Sequence, residues 1–308
     1  MTDSFLDPRL TERRNPRTVD IDRASALEIV DLLGAEDAAV PAAVARARVE
    51  MARAIDLIEA AFRGGGRLLY VGAGTSGRLG VLDAAECPPT FGVEPGLVTG
   101  IIAGGFKAML RSVEGAEDDV NAGMAEIDGH RVTARDIVIG IAASGTTPFV
   151  RAALGRAQTL GARTALVSCS EPPPLLKETC DVCITVLVGP EAITGSTRMK
   201  AGTATKLVLN TLTTGAMVRL GKTYGNLMVD LKAWNAKLTD RSERILMETT
   251  GIPRAEAARA LTAAEGRVKT AIVMVRRGVG KPEAERLIEE HRGRLRDIVG
   301  DPPLVTTA

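Results

Sequence analysis

Apolar residues follow two rhythms along this chain, and the change from one to the other marks out its elements. Near-continuous apolar runs at residues 68–71, 97–103, 136–143, 164–169 and 183–188 predict strands buried on both faces, as the strands of a parallel sheet are. Between them, apolar residues at helical spacing predict helices over 78–86, 120–127 and 149–160. Upstream, Ser25 and Glu28 stand at capping-box spacing and open a helix over 25–33. A single long helix is predicted over 38–62, stopped by Gly64, Gly65 and Gly66. Residues 1–20 are polar and carry Pro8 and Pro16, which predicts an extended arm with another subunit as a candidate surface. A helical stretch over 194–220 and three helices over 254–264, 268–276 and 282–299 complete the chain.

Strands alternating with helices predict an α/β fold: a doubly wound, three-layer αβα arrangement around a five-stranded parallel sheet. The expected organisation is an N-terminal arm with helices (1–50), the sheet domain (51–224) and a small C-terminal helical section (225–308). In such sheets ligands bind at the carboxyl ends of the strands. Two hydroxyl-bearing turns fall there.

The first turn follows residue 71 and reads Gly72, Ala73, Gly74, Thr75, Ser76, Gly77 before a helix. Glycines admit an anion close to the backbone, hydroxyls donate to phosphate oxygens, and a helix N-terminus adds orphan N–H groups and a positive dipole end. Gly72, Gly74 and Gly77 also satisfy G-x-G-x-x-G, the dinucleotide fingerprint. That fingerprint needs an acidic residue ending the second strand, whereas Glu94 precedes it. A monophosphate therefore fits better than a dinucleotide. The second turn carries Ser144, Gly145, Thr146 and Thr147 ahead of Pro148 at an N1-like position; a plain capping role for Ser144 or Thr147 is the alternative. A third stretch places Ser196, Thr197, Arg198 and Lys200 at the start of the 194–220 helix, where cations oppose the macrodipole; a compensating anion is one reading, and a Ser or Thr cap with Arg198 and Lys200 solvated is the alternative.

Composition narrows the class. With 39 basic against 38 acidic residues the net charge is +1, which gives no footprint for nucleic acid or an anionic membrane. No apolar core of a signal peptide and no membrane-length apolar window is present, so the expected compartment is the cytoplasm. Cys180 and Cys183 lead into a β-branched run, where residues three apart face opposite ways; they read as small apolar residues rather than a redox pair. His130 and His291 lie near no cysteine cluster, so no metal site is expected.

Four segments together, VGAGTSGRLGVLDAAECPPTFG, VEGAEDD, GIAASGTTPFV and TGSTRMKAGTATKLVLNTLTT, resemble the N-acetylmuramic acid 6-phosphate etherases of the sugar isomerase (SIS) superfamily over nearly the whole chain. The resemblance implies a SIS-type sheet and cleavage of the D-lactyl ether of N-acetylmuramic acid 6-phosphate to N-acetylglucosamine 6-phosphate and D-lactate, in cell-wall sugar recycling. It implies a homodimer working without metal, nucleotide or other cofactor. Glu86, of the D-A-x-E-C segment, is the implied acid and Glu117, of G-A-E-D, the second catalytic glutamate. Phosphate and substrate contacts are expected from Gly74, Thr75, Ser76, Gly77, Ser144, Gly145, Thr147, Ser196, Thr197 and Lys200. Thr146 stands where the family often has arginine.

The chemistry suits two carboxyl groups. A lactyl ether at C3 lies β to the aldehyde of the open-chain sugar, so loss of the C2 proton lets the ether leave and water then adds. Glu86, before Cys87, Pro88 and Pro89, is expected to be desolvated and protonated, and Glu117 lies among like charges. Ser76 and Glu86 are separated by about 15 Å of helix rise. That span exceeds one sugar phosphate. Either the helix is short or bent before Glu86, or Glu86 serves a site across a dimer interface; the second is favoured. A sugar-phosphate isomerase, and a sugar-phosphate-binding regulator of the kind seen in glucokinase regulatory proteins, are the competing classes.

Overall fold

The structure is a computed structural model that describes residue 7 and residues 9–231 and 236–304. The chain divides into two compact units, Met1–Ala85 with Gly96–Thr213, and Glu86–Pro95 with Thr214–Ala308. The first unit holds helices α1 (Ala26–Asp37), α2 (Val40–Arg46) and α3 (Arg48–Arg63), then β1 (Leu68–Gly72), the start of α4 (Gly74–Phe91), β2 (Val98–Ile102), α5 (Lys107–Leu110), α6 (Val120–Gly129), β3 (Ile137–Ile141), α7 (Pro148–Thr159), β4 (Arg163–Ser168), α8 (Pro174–Thr179), β5 (Val182–Thr185) and most of α9 (Lys200–Arg219). All strand pairs are parallel, in the order β2-β1-β3-β4-β5.

Period-2 alternation shares each strand between two helical layers. Leu69, Val71, Val138 and Leu166 join Ile127 of α6 and Phe149, Val150 and Leu154 of α7 in one core. The opposite face is covered by α3, which packs on β1, β3 and β5, and by α4, which lies on Tyr70 and Ile141. The expected strands are all present, each within two residues of its expected bounds at the start and within three at the end. Strand starts are tied by Asp136, whose carboxylate accepts from the Arg67 backbone N–H at 2.8 Å, the Thr133 N–H at 2.8 Å and the Arg67 guanidinium.

Several expected elements are corrected. The helix expected over 38–62 is two, α2 and α3, because the chain tightens at Ala47, whose N–H bonds the Val44 carbonyl three residues back. The helix expected over 282–299 is likewise two, broken by a turn in which Arg292 and Gly293 are left-handed. The described part of the N-terminal arm is coiled through short 3₁₀ turns and packs on its own chain. Asn15 Nδ2 reaches the Pro190 carbonyl at 3.2 Å and Thr18 Oγ1 the Ala192 carbonyl at 2.8 Å. The expectation for residues 1–6 and Pro8 lies outside the described residues.

The second unit adds the hairpin β6 (Thr223–Tyr224) and β7 (Leu227–Met228) and helices α10 (Ala236–Thr250), α11 (Arg254–Ala263), α12 (Val268–Arg277), α13 (Lys281–Glu290) and α14 (Leu295–Val299), around a core including Tyr224, Leu246, Ile272 and Val273. The hairpin and α10 were not foreseen. Residues 86–95 belong here because a side chain at Gly92 would stand 1.9 Å from the Asp230 carbonyl oxygen, a contact only glycine permits. Among the described residues no helix is long and apolar enough to cross a membrane.

The first unit also buries a charge cluster at the start of α9. Lys200, only 1% exposed, donates from Nζ to Glu36 Oε2 at 2.5 Å. Arg17 and Asn15 also bond to Glu36. Arg17 foremost, working against burial, and then Lys200 and Asn15 hold the Glu36 carboxyl at about 2 rather than 4.5. The sign follows from linkage: a depressed folded-state value gives stability that is fully present above the unfolded-state value and is lost as pH falls. Urea titrations should therefore show the chain losing stability between about pH 4.5 and pH 2. Lys200→Met, which takes one cation from Glu36 and leaves it Arg17 and Asn15, is expected to cost about 1–3 kcal/mol at pH 7. A loss below about 1 kcal/mol would show that the cluster contributes little.

Candidate active site

The order of the strands reverses direction between β1 and β3, and the crevice outside their carboxyl ends is the natural ligand position of such a sheet. Gly72 and Ile141 close the two strands side by side. The segments following them carry the first two groups of expected site residues.

After β1 the backbone turns directly into α4, which begins at Gly74 with φ +53°. Gly74, Thr75, Ser76 and Gly77 are thus the first turn of a helix rather than a loop. Their leading N–H groups have no intrahelical acceptor and point out of the helix N-terminus. The turn is tight because two glycines face each other. A Cβ on Gly72 would lie 2.6 Å from the Gly77 nitrogen, and one on Gly77 would lie 2.7 Å from Ile102 Cγ1 and 2.8 Å from the Gly72 carbonyl oxygen. Thr75 and Ser76 are half-buried.

After β3, Gly145 adopts φ +72° and Ser144 Oγ lies 2.9 Å from Thr146 Oγ1 while accepting from the Thr146 N–H at 3.2 Å. Ser144 therefore ties the loop together instead of capping the helix. Thr147, at the N-cap of α7, makes no side-chain capping bond, and Pro148 occupies the first turn as expected. Glu117 is exposed on a 3₁₀ turn, Ala116–Asp118, that packs against α7, while Ala116 packs on the core of that sheet face. The fold thus brings Glu117 onto the helix that follows the Ser144 loop.

The third stretch differs from expectation. The helix α9 starts at Lys200, not at residue 194, and its N-terminus is already occupied by a carboxylate of the same chain. Glu191 Oε2 accepts from the Lys200 N–H at 3.0 Å and Oε1 from the Ala201 N–H at 2.9 Å. Burial pushes the Glu191 carboxyl above the usual carboxylate range. The anion implied by cations at a helix start is thus internal: Glu191 meets the dipole and Glu36 the Lys200 ammonium. In this structure the Lys200 ammonium is paired with Glu36. Ser196 and Thr197 are half-buried in the preceding turn, and a Cβ on Gly202 would stand 3.5 Å from both Thr75 Cγ2 and the Thr197 carbonyl oxygen, which places this segment beside the start of α4.

Glu86 does not end its helix. The helix α4 continues through Pro88 and Pro89 to Phe91, so Glu86 lies within it rather than at its end. Its side chain is exposed rather than desolvated, because Arg78, Leu82 and Glu86 at i, i+4 and i+8 share the outward face of the helix. The cysteines are free; the buried Cys169 thiol is pushed up to about 12 by desolvation. Sequence reasoning missed Glu36, Glu191 and the buried Asp83. Asp83 alone left a signal, an acidic residue on the apolar face of a helix.

Over 291 residues the chain is 53% identical to the N-acetylmuramic acid 6-phosphate etherase of Yersinia pestis (strain Pestoides F), a match covering 94% of this chain and 98% of the relative. The chain belongs to the N-acetylmuramic acid 6-phosphate etherase family. The etherase of Yersinia pseudotuberculosis serotype O:1b (strain IP 31758) matches at the same 53% over the same 291 residues. Residues 50–158 match the glucokinase regulatory protein N-terminal SIS domain. Among solved structures, an Escherichia coli CFT073 protein aligns at 18% identity and a TM-score of 0.46, covering 64% of this chain and 94% of that one. Thr146, which stands where the resemblance implies that the family often has arginine, is bonded to Ser144.

The packing of the first turn gives an expected outcome. Gly77→Ala forces a methyl group into the Gly72 backbone and should cost about 1–3 kcal/mol in a urea titration, with sugar-phosphate affinity falling as the turn opens. A variant of unchanged stability would show that the turn has slack.

Proposed function

We propose that this chain cleaves the D-lactyl ether of N-acetylmuramic acid 6-phosphate, yielding N-acetylglucosamine 6-phosphate and D-lactate. The observation that carries the reading is the 53% identity to curated etherases along nearly the full length of both chains. The phosphate is held at the carboxyl ends of β1 and β3 by the first turn of α4, including Thr75 and Ser76, and by the loop of Ser144, Gly145 and Thr147. Ser196 and Thr197 stand beside the first of these. Sugar phosphates are charged and do not cross membranes, so the enzyme works in the cytoplasm.

The reaction proceeds by elimination and then hydration. A base takes the C2 proton, the electron pair forms the C2–C3 double bond, and the C3–O bond breaks as the lactate oxygen accepts a proton. Water then adds, hydroxyl to C3 and proton to C2. Glu86 supplies the acid and Glu117 a second carboxylate suited to the base. Neither step requires a cofactor.

Glu86 lies too far along α4 from the phosphate turn to reach the same sugar, and it faces outward. Leu82 on the same face is 52% exposed, and the adjoining segment, reached by the Arg78 Nε bond to the Met109 carbonyl at 3.2 Å, exposes Phe106 at 81% and Leu110 at 82%. A second copy of the chain covering this apolar surface would desolvate Glu86 and present it to the partner's substrate. The match to a glucokinase regulatory protein domain supports a second reading, a sugar-phosphate-binding regulator.

Incubation with N-acetylmuramic acid 6-phosphate and enzymatic detection of D-lactate separates the two readings; no lactate from folded protein would overturn the etherase assignment. Glu86→Gln is expected to lower the rate by about 10²–10⁴-fold with sugar-phosphate affinity retained. Mixing Glu86→Gln chains with Ser76→Ala chains should restore part of the activity if sites are shared between subunits, and none if each site is built from one chain.

A further inference from the structure

Asp83 is a buried acid that the elimination itself does not use. Its carboxylate, 5% exposed on α4, accepts from Asn210 Nδ2 at 2.6 Å and Thr213 Oγ1 at 3.3 Å, both on α9, and from the Tyr70 hydroxyl of β1 at 3.1 Å. Desolvation pushes its pKa upward against these donors. Burying a carboxylate where an apolar side chain would pack is costly, so its presence calls for a geometric reason. One turn earlier on α4, a Cβ on Gly80 would lie 2.9 Å from Tyr70 Cβ and 3.2 Å from Ile141 Cδ1. Contact at Gly80 sets how closely α4 approaches the sheet. Directional bonds at Asp83 set its rotation.

Glu86 follows Asp83 by one helical turn. Side-chain ends ride about 5–6 Å from a helix axis, so a rotation of about 10° moves them roughly 1 Å. A displacement of that size at a reacting group costs up to about a hundredfold in rate.

We propose that Asp83 is a positioning residue for Glu86: clamped by Tyr70, Asn210 and Thr213, it fixes the rotation of α4 and so aims the Glu86 carboxyl at the departing lactate oxygen. The inference rests on the reading of Glu86 as the acid.

The test uses the full chain and N-acetylmuramic acid 6-phosphate in D₂O, following both D-lactate release and deuterium at C2 of recovered substrate by mass spectrometry. Losing the acid slows departure of lactate while proton removal at C2 continues, so Glu86→Gln should raise the ratio of exchange to release. Asp83→Asn should do the same, with lactate release down about tenfold to a hundredfold and KM nearly unchanged. The double variant should lose no more than Glu86→Gln alone, because both act through one group. Tyr70→Phe and Thr213→Val each remove one clamp donor and should raise the ratio in the same direction even if Asp83→Asn fails to fold. Exchange and release falling in proportion, or additive losses in the double variant, would overturn the positioning role while leaving Glu86 in place. Wild-type lactate release by Glu86→Gln would overturn the acid assignment and this inference with it.

Discussion

The close seating of α4 on the sheet is the constraint on which the rest of the first unit depends. A helix normally stands off from a strand by the thickness of a side chain, but Gly72 and Gly77 let the end of β1 and the first turn of α4 meet backbone to backbone. That contact converts what would be a loose loop into a fixed helix N-terminus over the crevice between β1 and β3. It also sets where α4 starts and how closely it lies on the sheet.

The second constraint is electrostatic. A helix that starts at Lys200 just after Arg198 would repel its own dipole, and the chain answers with two buried carboxylates, Glu191 from the preceding segment and Glu36 from a distant one. Removing a charge from water is costly, so such groups are tolerated only where hydrogen bonds satisfy them. Here they are satisfied, and the result joins the N-terminal segment to the start of α9.

These constraints give the proposed chemistry its form. The phosphate site as proposed uses backbone groups and hydroxyls, whereas Glu86 and Glu117 are both exposed. In the proposed reading, burial of the exposed Glu86 carboxylate by a second copy supplies the low-dielectric setting that general acid catalysis needs.

Sequence alone determined the sheet, because strands buried on both faces leave unbroken apolar runs, and it located the two hydroxyl-bearing turns, because glycines and hydroxyl residues cluster where those runs end. The sharpest motif, that around Glu86, was legible as residues but not as geometry. Only the tertiary structure decided that α4 runs on through Pro88 and Pro89, that Lys200 is spent on Glu36, and that Asp83 is clamped between β1 and α9. Pairings between residues more than a hundred positions apart have no local periodicity to announce them. The breaks at Ala47 and Arg292 escaped notice because each is a single tight turn inside an otherwise continuous helical pattern.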